Sequence, residues 1–326
     1  MQNTDHITAN DFIPINMNTI RVGIKPKFCF FLKNLLDNEV GYVLYNKGEH
    51  AIQQYHLEEL QNNKVQNLYI RKNDQGKYYE YIESSLKLVM ANEGIDVKEK
   101  TSLMYNVAKN IMLDVFNDPR CGTNIERSKN WVANAVGLLM TNKEASSNML
   151  NMVSYDYYTY THSVNVSVLG LLFAKYIGIN NDSMNLLGTG LMLHDIGKTQ
   201  IDSSLVKRKG RLNNDEFEEM KKHVEKGASI LKQIGGLDNE SLYAVSQHHE
   251  REDGGGYPDG LHGNNIHGFG KIAKIVDVYD ALTTNRPYSE ARKPLYALTV
   301  MGREMKGSFS LRHLKYFIRF LGSSGG

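Results

Sequence analysis

The chain is poor in cysteine, in net charge and in long apolar runs, and each shortage excludes something. Cys29 and Cys121 are the only cysteines in 326 residues, too few for a disulfide framework or a thiolate zinc site, and their scarcity fits a reducing compartment. Lys and Arg number 38 against 36 Asp and Glu, a formal net charge of +2. No broad electrostatic footprint for duplex DNA or RNA is therefore expected. The most apolar stretch, from Val164 to Ile179, is interrupted by Asn165, Ser167 and Lys175, too polar and too short for a membrane span. The opening MQNTDHITANDF has no basic segment followed by an apolar one, so no secretory signal is expected and the cytoplasm is the expected location. Repeats are lacking too, and the terminal SSGG, residues 323–326, reads as a linker remnant.

What is present is ordinary globular material, 41% apolar and 23% charged, in a length that predicts about two domains. From Ile20 to Ile82 the patterns suit a small mixed α/β domain, assigned to residues 1–84. KPKFCFFL, VGYVLYN and VQNLYIRK read as strands, QQYHLEELQNN as a helix, and Tyr78 to Met90 as a helix leaving the domain. No metal spacing or nucleophile beside a base occurs there. A sensory, regulatory or dimerising module is the plain reading, serving a homodimer or a signalling partner. Residues 85–124 read as a helical connector, with a helix from Ser102 to Phe116, and residues 125–322 as a wholly helical domain.

That second domain holds the chemistry. His162 precedes Val166, Leu169 and Phe173 at helical spacing; His194 aligns with Leu187 and Leu191, His223 with Phe217 and Met220, His249 with Leu242 and Val245. Asp277 follows Ala273 and precedes Asp280 on one face of a fifth helix. A lone histidine on an apolar face is usually a satisfied core residue. Several aimed at one interior, with Asp195 and Asp277 and few basic residues to pair with them, are a different matter. A buried carboxylate costs several kcal/mol unless it is paired or coordinates a cation. A metal resolves this, and the thiolate-free set suits iron, manganese or zinc, with magnesium a further alternative. The donors exceed what one tetrahedral ion needs. Two ions about 3.5 to 4 Å apart, bridged by a carboxylate such as Asp195 and by a water, would supply hydroxide for hydrolysis of a phosphate ester. Lys198, four residues after His194, would share its helical face and reach the phosphate. Arg286 would either clamp a second phosphate or simply close its helix with a favourable charge.

HDIGK at 194–198, HHEREDGGGYP at 248–258 and DVYDALTTNRPY at 277–288 together closely resemble the HD-GYP phosphodiesterase family, a branch of the HD metal-dependent phosphohydrolases. The resemblance covers residues 125–322 and includes the closing helix KGSFSLRHLKYFIRFLG. It implies an all-helical domain with a bridged iron-type centre that cleaves cyclic dinucleotides, above all cyclic di-GMP to linear pGpG and in some members on to GMP. Cyclic GMP-AMP as substrate, or a sensor without turnover, are the alternatives. The implied metal ligands are His162, His194, Asp195, His223, His248, His249 and Asp277, with Asp195 bridging, Lys198 at the scissile phosphate and Arg286 on the substrate's phosphates. Tyr158 stands where members with three metals carry an acidic ligand, and Asp156 is two positions off, which implies two metals. Ser289 replaces a basic residue that commonly follows RPY, with Arg292 nearby to compensate. In the Gly254–Gly256 run the missing side chains would allow a sharp turn and leave room for a nucleotide. Gly256, Tyr257 and Pro258 would line the substrate, and Glu250 and Asp253 would orient the imidazoles.

Overall fold

The computed structural model describes residues 11–36, 39–153, 159–208, 210–285 and 291–324. They form two compact units that divide between Asn110 and Ile111. The first carries four strands, β1 (Phe12–Asn16), β2 (Phe30–Leu36), β3 (Glu39–Asn46) and β4 (Asn67–Arg71), with α1 (Gln54–Asn62), α2 (Gln75–Glu83) and α3 (Leu86–Ala91). The antiparallel sheet runs in the order β1-β4-β2-β3. The register shifts between Phe30 and Phe31, and both rings are buried, in different clusters. Phe30 meets Phe28, which lies edge-on to Tyr78 and Tyr81 of α2, whereas Phe31 meets Phe12, itself stacked on Tyr42.

Three details depart from the sequence reading. Strand β1 lies before the expected start at Ile20 and contains Pro14. The sheet tolerates a residue without an N–H there because β1 is an edge. In KPKFCFFL only the residues from Phe30 onward are strand. The single helix expected from Tyr78 to Met90 is broken between α2 and α3. Ser84 and Ser85 turn their hydroxyls back onto the Tyr81 and Ile82 carbonyls and compete with the helical ladder.

Helix α4 (Val97–Asn117) crosses the division between the units. The second unit continues with α5 (Gly122–Thr141), α6 (Lys143–Met152), α7 (Thr159–Tyr176), α8 (Asn181–Leu193), α9 (Ser203–Val206), α10 (Asn214–Lys221), α11 (His223–Ile234), α12 (Leu242–Gln247), α13 (Gly268–Thr283), α14 (Pro294–Thr299) and α15 (Leu311–Ser324). It has no strand among its described residues. The predicted architecture, a small mixed α/β domain ahead of a helical one, is the architecture observed. None of the described helices is long and apolar enough to cross a membrane.

Helix α7 is buried from Thr161 to Ala174, as expected of a helix apolar on every side. The polar residues that interrupt its sequence are its ties to neighbours. Asn165 donates to Asp280 of α13 at 2.9 Å, Ser167 to the Gly188 carbonyl of α8 at 3.0 Å, and Lys175 to the Leu139 carbonyl of α5 at 2.6 Å. Phe173 packs edge-on against Phe317 of α15 with centroids 5.1 Å apart. Phe173→Ala should leave a cavity and cost about 3–5 kcal/mol of unfolding free energy in the helical unit, read as a lower urea midpoint.

Candidate metal centre and its comparisons

Three of the expected ligands sit just past helix ends, not along helix faces. His194 is the C-cap of α8, His248 the C-cap of α12, and His223 follows α10 by one residue and opens α11. The last carbonyls of a helix lack intrahelical donors. Each of these imidazoles supplies one: His194 Nδ1 lies 2.7 Å from the Leu191 carbonyl, His223 Nδ1 2.6 Å from that of Met220, and His248 Nδ1 2.7 Å from that of Val245. A carbonyl only accepts, so Nδ1 carries the proton and Nε2 presents its lone pair inward. His162 Nδ1 is held instead by the Asp280 carboxylate at 2.7 Å, which Asn165 and Thr284 also contact.

The inward atoms form two groups. His162, His194 and Asp277 place ligand atoms within 4.8 Å of one another, as do His223, His248 and His249; a third such group, His194, Asp195 and His248, joins them. Asp195 stands at the junction. Its Oδ2 faces His162 at 3.7 Å and His194 at 3.5 Å, and its Oδ1 faces His223 at 3.4 Å and His248 at 3.9 Å. Asp277 Oδ1 lies 3.1 Å from His162 Nε2.

Charge follows from burial. Burial pushes the imidazoles of His194, His248 and His249 down, and His223 down to about 4, so all four are neutral at pH 7. Burial alone would raise the Asp195 carboxyl, but the Lys198 ammonium beside it opposes this, and the group is held well below its usual range. Asp277 is likewise held well below its usual range, burial being opposed by its close approach to His162. Asp195 Oδ1 and His194 Nε2 are nonetheless buried without a hydrogen-bond partner among the described residues. Orphaned acceptors in a neutral imidazole and carboxylate set are what a divalent cation satisfies, so the residues fit metal ions.

Lys198 departs from the sequence reading. The α-helix stops at His194 and a 3-10 turn, Ile196–Gln200, follows, so Lys198 does not continue the His194 face. Its ammonium turns back onto Asp195 Oδ2 at 2.5 Å, and Asp195 thereby has a basic partner that the sequence did not reveal. Gly197 makes this turn workable, since a Cβ there would overlap the His223 carbonyl and the Gly227 nitrogen.

The loop after His249 is tightly built rather than open. Glu250, which is 1% exposed, orients no imidazole; it accepts from the Asp259 and Leu261 nitrogens at 2.8 and 2.9 Å. Asp253 likewise serves the loop, through Arg251 and the Gly255 nitrogen. Gly256 lets the chain press against the backbone of Glu250 and Arg251, where a Cβ would collide. The following Tyr257–Pro258 bond is cis, and the Tyr257 ring stacks on His249 at 4.6 Å. Arg286, Ser289, Asp156 and Tyr158 lie outside the described residues.

A family model for the HD domain matches residues 140–309, more than half of the chain. The chain belongs to the HD-domain family. Its Gly256-Tyr257-Pro258 loop resembles that of the HD-GYP branch. A cyclic di-GMP phosphodiesterase of Pseudomonas aeruginosa is 28% identical over 223 residues, covering 68% of this chain and 54% of the relative. The cyclic di-GMP phosphodiesterase response regulator RpfG of Xanthomonas campestris is 37% identical over 127 residues, 37% of this chain and 32% of its own. A 3'3'-cGAMP-specific phosphodiesterase of Vibrio cholerae is 34% identical over 157 residues, 48% and 30% of the two chains. The chain thus spans about half or less of the length of these relatives. The solved structure of Bd1817, an HDG"Y"P protein of Bdellovibrio bacteriovorus, superposes with a TM-score of 0.64 at 21% identity, covering 96% of this chain and 100% of that one. At that identity the likeness concerns the fold.

Asp280 and Asn165 were given no role from the sequence of this HD domain. The signal was there in part, because Asp280 falls on the Asp277 face and Asn165 one turn after His162. Asp280→Ala should leave His162 unheld and weaken metal affinity about 10- to 100-fold, measured by competition with a chromophoric chelator while the helical circular dichroism is retained.

Proposed function

We propose that the chain hydrolyses a cyclic dinucleotide, cyclic di-GMP first, at a binuclear centre. The observation that carries the reading is the Asp195 carboxylate, whose two oxygens face two separate sets of inward imidazoles. His162, His194 and Asp277 would hold one ion, His223, His248 and His249 the other, with Asp195 shared. Its histidine-rich, thiolate-free donors favour iron, with manganese next. When bound, such ions activate water at neutral pH and offset the charge of a phosphodiester.

The protein's own groups do the rest. The carbonyl-bound Nδ1 protons keep Nε2 of His194, His223 and His248 free of a proton, so the donor set needs no rearrangement. Lys198 Nζ, 2.5 Å from Asp195, keeps a positive charge where the phosphorus oxygens gain negative charge in the transition state. Water adds to phosphorus, the P–O3′ bond breaks, and a proton from that water ends on the ribose 3′ oxygen. The product is linear pGpG. Arg286 would hold the distal phosphate.

The names of the Pseudomonas and Xanthomonas relatives support cyclic di-GMP as the substrate. A second reading, cyclic GMP-AMP, has support from the Vibrio relative and from Ser289 standing in place of a basic residue. The first unit would serve as a regulatory or dimerising module.

Protein purified anaerobically, with its metal counted, should convert cyclic di-GMP to pGpG as followed by chromatography, and lose the activity on chelation. Lys198→Ala should keep its metal and lose about 100-fold or more in kcat. Metal-replete wild type that leaves cyclic di-GMP intact would refute the reading, and faster cleavage of cyclic GMP-AMP would transfer it to the second substrate.

A further inference from the structure

Helix α10 carries a large aromatic residue that its packing does not explain. None of its eight residues is buried, yet Phe217 on it is 45% exposed and faces the metal centre's loop. A surface helix with no buried face has no core in which to anchor such a ring. The Phe217 ring lies 6.1 Å from that of Tyr257 at 86°, and Tyr257 is stacked on His249, one of the proposed ligands, at 4.6 Å and 21°. The two rings form a corner at the rim of the centre. Lys221, tied to Glu218 at 2.6 Å, holds its ammonium 4.9 Å from the Phe217 centroid and 5.7 Å from that of Tyr257.

The corner has a fixed position. Asn213 and Glu216 close a capping box at the start of α10. At its other end the Met220 carbonyl holds His223 Nδ1. Aromatic surface of this kind, beside a cation, suits the flat base of an anionic nucleotide.

We infer that Phe217, with the Lys221 ammonium beside it, stacks one purine base of the dinucleotide while the phosphodiester lies at the metal centre. This subsite rests on the hydrolysis proposed above. A stacked base that is held equally in the ground state and the transition state contributes to KM and not to kcat.

The test compares wild type, Phe217→Ala, Phe217→Leu and Phe217→Trp as full-length, metal-loaded protein with cyclic di-GMP as substrate, metal content being counted for each. Phe217→Ala should raise KM about 5- to 100-fold with kcat and metal content retained, Phe217→Trp should restore KM, and Phe217→Leu should not. An unchanged KM in Phe217→Ala, or restoration by Leu as fully as by Trp, overturns the subsite alone, the latter by showing that Phe217 only fills space. Loss of kcat and metal in Phe217→Ala also overturns it, in favour of a structural role. A metal-loaded wild type that cleaves no cyclic dinucleotide overturns the proposed function and the subsite with it.

Discussion

The helical unit is organised around one buried carboxylate. Asp195 is 1% exposed, and an ionised carboxylate at that depth is tolerated only with compensation. Lys198 compensates one oxygen, and the other has no hydrogen-bond partner among the described residues. The position that makes Asp195 costly also makes it useful. It lies where α8 gives way to a 3-10 turn, so its carboxylate reaches beyond the helix axis toward its neighbour His194 and toward His162, His223 and His248 from three other segments of the chain.

Those imidazoles are prepared by a single local device. Helices α8, α10 and α12 each end near the centre, and the histidine three residues on adds its Nδ1–H to a carbonyl of the last turn. The bond closes the helix end, sets the tautomer and aims Nε2 inward. The negative ends of α8 and α12 also meet at this point, which favours a cation there. His162 departs from this pattern because it lies within the buried helix α7, where the backbone carbonyls are already engaged. Asp280 takes the carbonyl's place and ties α13 to the site.

The cluster itself was legible in the sequence, because imidazoles and carboxylates recur at apolar-face spacing in consecutive segments. The local geometry was less legible. Helical periodicity carried His194 to Lys198 and Phe217 to His223 along continuous faces, whereas both helices stop at or just before the histidine. Met220 was rightly matched with His223, yet the contact is made by its backbone carbonyl and not by a shared apolar face. Glu250 and Asp253 looked like partners for the imidazoles because they are near in sequence. Their carboxylates find backbone nitrogens of the following loop instead, a choice that depends on the path the glycines allow. Strand β1 was missed since proline counts against a strand except at an edge, and edges are assigned only once the sheet is assembled.

The central claim is that Asp195 is shared between two ions. The most direct measurement is the metal content per chain, by mass spectrometry, of wild type and of Asp195→Asn, both purified anaerobically and checked for native circular dichroism. The account predicts about two ions in the wild type and loss of both from the variant. One ion in the wild type, or two retained by Asp195→Asn, would contradict it.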